Sequence, residues 1–370
     1  MKSVGFMSTA GLPWFTGTSI IPLQQAVYLK KRGYDTALYL PWLKPERQKH
    51  CYQKHLFRSP EEQAAYIRNW LPEDLRAYCP ELLFYPATYS KKLGSTVPMR
   101  NPARVLKEHD SLVLIDPEHL FALYPWSRIR RKQAWVIGEV MTNYEYFFSP
   151  HVPRFVAKQL QAYCRFILQR MCHRLAPISA VQKDICALSK SSVVPLNAAD
   201  RQFFRPPPSS RNRQYYFIGK LIPEKGLAEL FNNLQACGVD SIDLYGAGAQ
   251  SEVETLAAKA GISPNLKGVL EKPWEVLPDY RIFVNCSRSE YLCSTTANAL
   301  AMQQWVILPK HPSNEYYYSF KNCLPYRTQA EFVEQFRYAR KHEPVVDPKL
   351  SGLTWEETIE RLIELIQAPC

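Results

Sequence analysis

A chain of 370 residues is longer than one ordinary core organises, and 46% hydrophobic with 22% charged residues is the balance of a folded, soluble-type protein rather than a disordered or fibrous one. The formal net charge of +12 is lopsided: residues 1–200 hold 27 Lys and Arg against 15 Asp and Glu, and residues 201–370 hold 19 against 19. The ten cysteines are scattered, with no CxxC pair, which excludes a disulfide framework and a zinc site of ordinary spacing; no run is apolar enough to span a bilayer, and the opening residues lack a signal-peptide pattern.

The first half reads as alternating strands and helices. Val4 to Met7 is an apolar strand, followed by the loop Leu12-Pro13-Trp14-Phe15-Thr16-Gly17-Thr18, a helix from Ile20 to Lys31 closed by Gly33, and a strand from Thr36 to Leu40. Between Pro41 and Pro102 the pattern loosens into a proline-broken, loop-rich region with one helix over 60–71. Its aromatics (Trp42, Trp70 and the tyrosines near 85–89), with Trp14 and Phe15 of the first loop, are mostly core, with a few available to a lipid headgroup layer. Strands follow at 112–115, ending in Asp116-Pro117-Glu118-His119, and at 135–140, ending in Met141-Thr142-Asn143-Tyr144. A helix over 154–174 carries Arg154, Lys158, Arg165, Arg170 and Arg174, and a strand leads to Ile178. Strand and helix in alternation predict a parallel α/β sheet. Basic clusters at Lys30-Lys31-Arg32, Lys91-Lys92 and Arg128 with Arg130-Arg131-Lys132 put the whole charge excess in this half, which points to a phosphate-rich partner: an anionic membrane surface or nucleic acid.

A second α/β pattern begins after the proline-rich run Asn197 to Ser210. Tyr215 to Ile218 is a strand, Gly219 to Gly226 a loop, and a helix runs to Gln235; Ile242 to Tyr245 is a strand ending at Gly246-Ala247-Gly248. The strand Ile282–Asn285, the acidic turn with Glu290, a helix over 294–302 and the strand Trp305–Leu308 form a βαβ crossover, and ligands bind where such a strand feeds its helix. Thr354-Trp355-Glu356-Glu357 has the spacing of a capping box and opens a last helix to Gln367.

The chemistry gathers in the second half. Lys220 and Lys225, flanked by Gly219 and Gly226, set two ammonium groups at a strand end, where positive charge stabilises a leaving diphosphate. The helix opened by Ser294, Thr295 and Thr296 offers backbone N–H groups suited to the same anion, although polar residues there are ordinarily only caps. Each lysine alone reads as a solvated loop cation, and Gly17, as a lone glycine before a helix, as a turn.

Together these residues resemble the retaining GT-B glycosyltransferases of family 4, and within them the plant-type digalactosyldiacylglycerol synthases. The likeness lies in Phe217-Ile218-Gly219-Lys220 with Lys225-Gly226, in Leu244-Tyr245-Gly246, in Glu290 to Met302, and most closely in His311-Pro312-Ser313-Asn314-Glu315 with Phe320-Lys321-Asn322-Cys323-Leu324. The first half joins through residues 12–18, Ser59-Pro60-Glu61-Glu62-Gln63, Glu118-His119-Leu120 and Thr142-Asn143-Tyr144, and Leu353-Thr354-Trp355-Glu356 resembles the family's tail helix. The resemblance implies an α/β GT-B fold, two Rossmann-like domains facing a cleft. Residues 1–200 would be an acceptor- and membrane-binding domain, 201–212 a linker, 213–350 the nucleotide-sugar-binding domain, and 351–370 a helix returning to the N-terminal domain.

It further implies transfer of galactose from UDP-galactose to monogalactosyldiacylglycerol with retention, no metal or other cofactor, no nucleic acid, and a peripheral membrane location on a cytoplasmic or plastid-envelope face. Lys220 and Lys225 would hold the diphosphate and Glu290 the donor sugar. Leu292, Cys293 and Ser294 would cap the phosphates, Gly17 and Gly219 would approach the donor, and Gly268 with Val269 would line the uracil pocket. Asn298 would meet the ribose, and Met141, Thr142 and Asn143 would lie near the donor or acceptor sugar.

Four positions depart from the family pattern. Asn298 stands where the family has a second carboxylate, at a cost of ~1–2 kcal/mol in charge assistance to the ribose diol. Met141 stands in place of a histidine, and a thioether is a poor hydrogen-bond partner for a sugar hydroxyl. Gln303-Gln304 stands in place of Gly-Lys. Met141 and Asn298 motivate a second reading, a member with altered donor or acceptor, or one that binds lipid or nucleotide without turnover. A nucleic-acid-binding protein rests on charge alone, with no reader module.

Overall fold

Short apolar runs such as Leu112–Ile115 or Ile282–Val284, too short for helices and too continuous for one-sided strands, fit sheets covered on both faces. The computed structural model describes residues 2–52, 55–91, 93–127, 129, 133–142, 152–185, 193–288, 290 and 292–367. It divides the chain into two compact units: residues 1–178 with 182–196 and 359–370, and residues 179–181 with 197–358.

The first unit runs β1 (Ser3–Met7), α1 (Gly17–Lys31), β2 (Asp35–Leu43), α2 (Pro60–Trp70), β3 (Glu81–Ser90), β4 (Ser95–Pro98), β5 (Ser111–Ile115), α3 (Pro117–Phe121), β6 (Trp135–Glu139), α4 (Arg154–Met171) and β7 (Arg174–Ala176). Its sheet has the order β4-β3-β2-β1-β5-β6-β7, parallel except for the antiparallel pair β3–β4. The strand order reverses between β1 and β5, so the loops holding Gly17 and Asp116 leave adjacent strand ends.

The region between 41 and 102 is more ordered than its sequence suggests. The ten-residue β3 carries Pro86 in its middle and no clean alternation, which is why it reads as a loop. Its aromatics pack inward or against one another: Tyr85 is fully buried, Trp42 meets Phe84 edge-on, Trp14 meets Tyr89, and Phe15 tilts against Trp70. They form core and rim of the unit.

The second unit runs β8 (Arg213–Ile218), α5 (Leu227–Ala236), β9 (Ser241–Tyr245), α6 (Gln250–Lys259), β10 (Ser263–Gly268), β11 (Tyr280–Val284), α7 (Ser294–Ala301), β12 (Trp305–Pro309), β13 (Cys323–Tyr326) and α8 (Gln329–Lys341). The sheet order β10-β9-β8-β11-β12-β13 is parallel throughout and follows the doubly wound 3-2-1-4-5-6 pattern, with its switch point between β8 and β11. A core of Phe217, Leu230, Phe231, Leu244, Ile282, Val284, Ile307, Phe332 and Phe336 fills the space between this sheet and α5, α6 and α8.

The last helix, α9 (Trp355–Gln367), starts in the second unit and from Ile359 onward belongs to the first. Thr354 Oγ1 accepts the N–H of Glu357 at 3.4 Å as its cap. Within the first unit Arg361 Nε donates to the Pro195 carbonyl at 3.1 Å, Gln367 Nε2 donates to Tyr34 Oη at 2.9 Å, and Glu360 pairs with Arg32. The chain therefore returns to its N-terminal unit.

Candidate active site

The topological switch point of the second unit is where Lys220, Lys225 and Glu290 meet. Lys220 and Lys225 lie on the loop leaving β8, and Glu290 lies on the loop leaving the neighbouring β11. Lys225 Nζ stands 2.5 Å from Glu290 Oε1, and their side chains are only 19% and 21% exposed. Protein crowding lowers the pKa of Lys220; Lys225 pushes the same way and Glu290 opposes. Lys220 nonetheless keeps an exposed surface, and water limits that effect.

Two glycines make the approach possible. Gly226 has φ +76°, and a Cβ there would sit 2.4 Å from the Cys286 carbonyl oxygen. The turn after Lys225 thus presses against the loop that carries Glu290. Gly246 has φ +140°, and its Cβ would sit 1.8 Å from the Gly219 carbonyl oxygen. That closeness lets the two loops zip together: Gly219 N–H donates to Tyr245 O at 3.0 Å, Leu221 N–H to Ala247 O at 3.0 Å, and Ala249 N–H to Leu221 O at 2.8 Å. The backbone under Lys220 is fixed as if it continued the sheet.

The N-terminus of α7 faces the same strand ends. Cys293 is its N-cap and supplies no side-chain cap hydrogen bond, which leaves the first-turn amides suited to an anion. Neighbours hold this end in position. Tyr317 Oη donates to the Cys293 carbonyl at 2.8 Å, Asn197 Nδ2 to the buried Leu292 carbonyl at 2.9 Å, and Asn285 Nδ2 to Cys293 Sγ at 3.5 Å. Burial, and secondarily Glu290, raise the Cys293 thiol pKa, so it is a packed neutral thiol. The His311–Phe320 segment therefore contributes through Tyr317, a role that its sequence alone does not disclose.

Asn298, one turn into α7, accepts the N–H of Asp200 on Oδ1 at 3.4 Å, which gives its amide a backbone partner within the unit. Gly268 ends β10 with φ +75° and accepts the Gly246 N–H at 2.8 Å, and the adjacent Val269 is 37% exposed. Both lie at the strand ends, where an apolar contact for a base is accessible. The Gln303-Gln304 departure is structural. Gln303 has φ +55° and closes α7 as a Schellman turn, with its N–H to Leu300 O at 2.8 Å and Gln304 N–H to Ala299 O at 3.1 Å. Gln304 is fully buried: it accepts from Tyr216 Oη at 2.8 Å and donates to the Leu277 and Tyr280 carbonyls at 2.6 and 2.8 Å.

In the first unit Gly17 is the first residue of α1, and a Cβ there would meet only Ile21 Cδ1 at an ordinary 3.7 Å. Packing within the unit does not require glycine at that position. Met141 and Thr142 follow β6 and are tied to Asp116: Oδ1 accepts the Met141 N–H at 2.6 Å and Oδ2 accepts Thr142 Oγ1–H at 2.8 Å. Asn143 lies outside the described residues. Behind Asp116, itself left-handed at φ +49°, lie two more buried carboxyls. Burial, then Asp116, pushes Glu118 well above the usual range. Burial raises Glu139 to about 8, against the two hydrogen bonds of 3.1 Å from Gln25 Nε2. The strand end Asp116-Pro117-Glu118 is the sequence signal for this cluster; Glu139, inside its strand, gives none.

No protein-family model matches the chain. Digalactosyldiacylglycerol synthase 1, chloroplastic, of Arabidopsis thaliana is 34% identical over 98% of this chain and 47% of the relative. Digalactosyldiacylglycerol synthase 2, chloroplastic, of Lotus japonicus is 32% identical over 98% of this chain and 83% of the relative. The chain thus spans about half the length of the synthase 1 relatives and about four-fifths of the synthase 2 relatives. Among solved structures, the apo lipopolysaccharide outer core galactosyltransferase WaaB aligns with TM-score 0.63 at 12% identity, covering 98% of this chain and 99% of that one. Anabaena Alr3699/HepE in complex with UDP and glucose aligns with TM-score 0.65 at 10% identity, covering all of both chains. At such identities the structural likeness shows the fold alone, and that fold is GT-B.

Proposed function

This chain belongs to the digalactosyldiacylglycerol synthase family, and from that premise we propose that it transfers galactose from UDP-galactose to monogalactosyldiacylglycerol, with the anomeric configuration retained. The observation that carries the reading is the Lys225–Glu290 contact at the switch point between β8 and β11, with Lys220 on the same loop.

A phosphate group arriving there offers Lys225 a second anionic partner. The ammonium turning toward the diphosphate would release Glu290 to accept hydroxyl groups of the sugar. Lys220, Lys225 and the first amides of α7 then meet the negative charge that grows on the leaving diphosphate, the kind of preorganised stabilisation that lowers such barriers most. Two ammonium groups and a helix end supply that charge complement from the chain itself, so the reading includes no metal. Gly268 and Val269 would border the base, and Met141 with Thr142, held by Asp116, would border a sugar.

The acceptor is a lipid, and the reading makes the protein peripheral to an anionic membrane surface through its basic first unit. No helix among the described residues is long and apolar enough to cross a membrane. The alternative is a member with another donor or acceptor, or without turnover; Met141, and Asn298 with its Asp200 contact, are the observations in its favour. Incubation of the full chain with labelled UDP-galactose and vesicles containing monogalactosyldiacylglycerol separates the two. Formation of a digalactosyl lipid, unchanged by a chelator and abolished by Lys225→Ala, supports transfer; UDP binding with no product supports the alternative.

A further inference from the structure

The helix α4 (Arg154–Met171) keeps Ala157, Gln161, Cys164, Ile167, Leu168 and Met171 buried, a stripe at helical spacing that seats it on the first unit. The opposite stripe is mixed: Gln159 and Gln169 are exposed there, and so are large aromatic side chains. Phe155 and Phe166 are 66% and 51% exposed and lie eleven residues apart, three turns along one line of the helix. Tyr163, 49% exposed, donates its hydroxyl to the Ala122 carbonyl at 2.9 Å, which sets the helix beside the turn after α3. On that turn Leu123 is 80% exposed, the highest value among the exposed large hydrophobics of the described residues. Arg154, Lys158 and Arg170 are exposed along the same helix, Arg170 over the Phe166 ring at 5.6 Å, and the eighteen residues of α4 include no Asp or Glu.

Exposed large apolar side chains interleaved with cations, and no acidic residue on the helix, are what an anionic bilayer surface accepts: rings enter the acyl boundary while the cations meet phosphates. A second copy of this chain fits badly, because the patch would set cations against cations. A single-stranded nucleic acid needs a groove with stacking rings, and this patch is a helix face. We propose that the α4 face with Leu123 is the surface by which the protein lies on anionic lipid, its apolar side chains inserting and its cations binding headgroups. This deepens the proposed membrane-bound reading by naming the contact surface, and it rests on that reading for its partner.

The test uses the full chain with vesicles of phosphatidylcholine alone or mixed equally with phosphatidylglycerol, followed by sedimentation. The wild type is expected to partition to the mixed vesicles, less so as salt rises, and Leu123→Ser/Phe155→Ser/Phe166→Ser is expected to lose at least tenfold in partitioning while UDP affinity and thermal midpoint hold. A wild type that binds mixed vesicles while the triple variant binds equally well overturns the proposal and leaves the membrane reading standing. A wild type that ignores both vesicles overturns both, with the donor-site reading still judged by UDP binding. Phe166→Trp gives an independent readout: its added emission should shift to shorter wavelength and be quenched by brominated acyl chains, and an unmoved, unquenched emission overturns the proposal even if the triple variant misfolds.

Discussion

Lys225 Nζ and Glu290 Oε1 lie 2.5 Å apart although 65 positions separate them in the chain. The contact exists because β8 and β11 are neighbours in the sheet and because Gly226, at φ +76°, lets one loop press on the other. A carboxylate this close neutralises a lysine in the free protein. Glu290→Gln removes that competition, so UDP is expected to bind as tightly as before or several-fold tighter. Galactose transfer should nevertheless fall at least ~10²-fold, since the group proposed to hold the sugar has lost its charge. Calorimetric titration with UDP beside the transfer assay measures both, and a parallel loss of affinity and rate would count against the assigned roles.

Met141 is held by its backbone, through the 2.6 Å hydrogen bond to Asp116 Oδ1, so its side chain can be exchanged without releasing the loop. Met141→His is expected to raise kcat/KM for UDP-galactose, by about tenfold for one added charge-neutral or charge-assisted hydrogen bond. An unchanged or lower value would argue that residue 141 does not border the sugar.

Stability should fall with rising pH in the first unit. Burial raises Glu139 from an ordinary 4.5 to about 8, so the folded state holds a proton that the unfolded state has already released. The stabilising effect of that proton is complete below about pH 4.5 and is lost as pH climbs through 8; the raised Asp116 and Glu118 act in the same direction. Glu139→Gln, which keeps the size and an acceptor for Gln25, should flatten the profile and gain on the order of a few kcal/mol over the wild type above pH 8. Urea unfolding at pH 5, 7 and 9 checks this, and identical slopes for both proteins would refute it.

Gln303 sits at φ +55° in a position that favours glycine. Gln303→Gly relieves the left-handed strain and should stabilise the second unit by about 1 kcal/mol. A thermal midpoint that does not rise would mean that contacts of the Gln303 side chain offset the strain.

Much of the fold is legible in the sequence because most of its central strands are buried on both faces. Val4–Met7, Leu112–Ile115, Ile282–Val284 and Trp305–Leu308 carry no competing polar period. The strands that escape notice are of a different kind. β3 contains Pro86, β13 reads Cys-Leu-Pro-Tyr, and β10, at one end of its sheet, alternates exposed and half-buried residues over Ser-Pro-Asn-Leu-Lys-Gly. α8 also goes unread, although Thr328 and Glu331 form its cap, with Oγ1 accepting the Glu331 N–H at 3.2 Å.

In the site, Lys220, Lys225 and Glu290 are visible as residues at strand ends. Asn197 and Tyr317 are not, since their partners lie 95 and 24 positions away and only the folded unit joins them. The sequence reads most aromatics of the loop-rich stretch as core, and Tyr85, Trp42 and Trp14 are packed in that way, whereas Phe155 and Phe166 lie exposed on a helix that the sequence marks only as basic.

The central claim is that the two lysines hold a diphosphate, and the most direct measurement compares UDP with uridine on the wild type, Lys220→Ala and Lys225→Ala. The wild type should prefer UDP by about 100-fold or more, and each substitution should shrink that preference about tenfold, roughly 1.4 kcal/mol, while uridine affinity stays constant. A preference for UDP that both substitutions leave intact, or a wild type that binds uridine as well as UDP, would contradict the account.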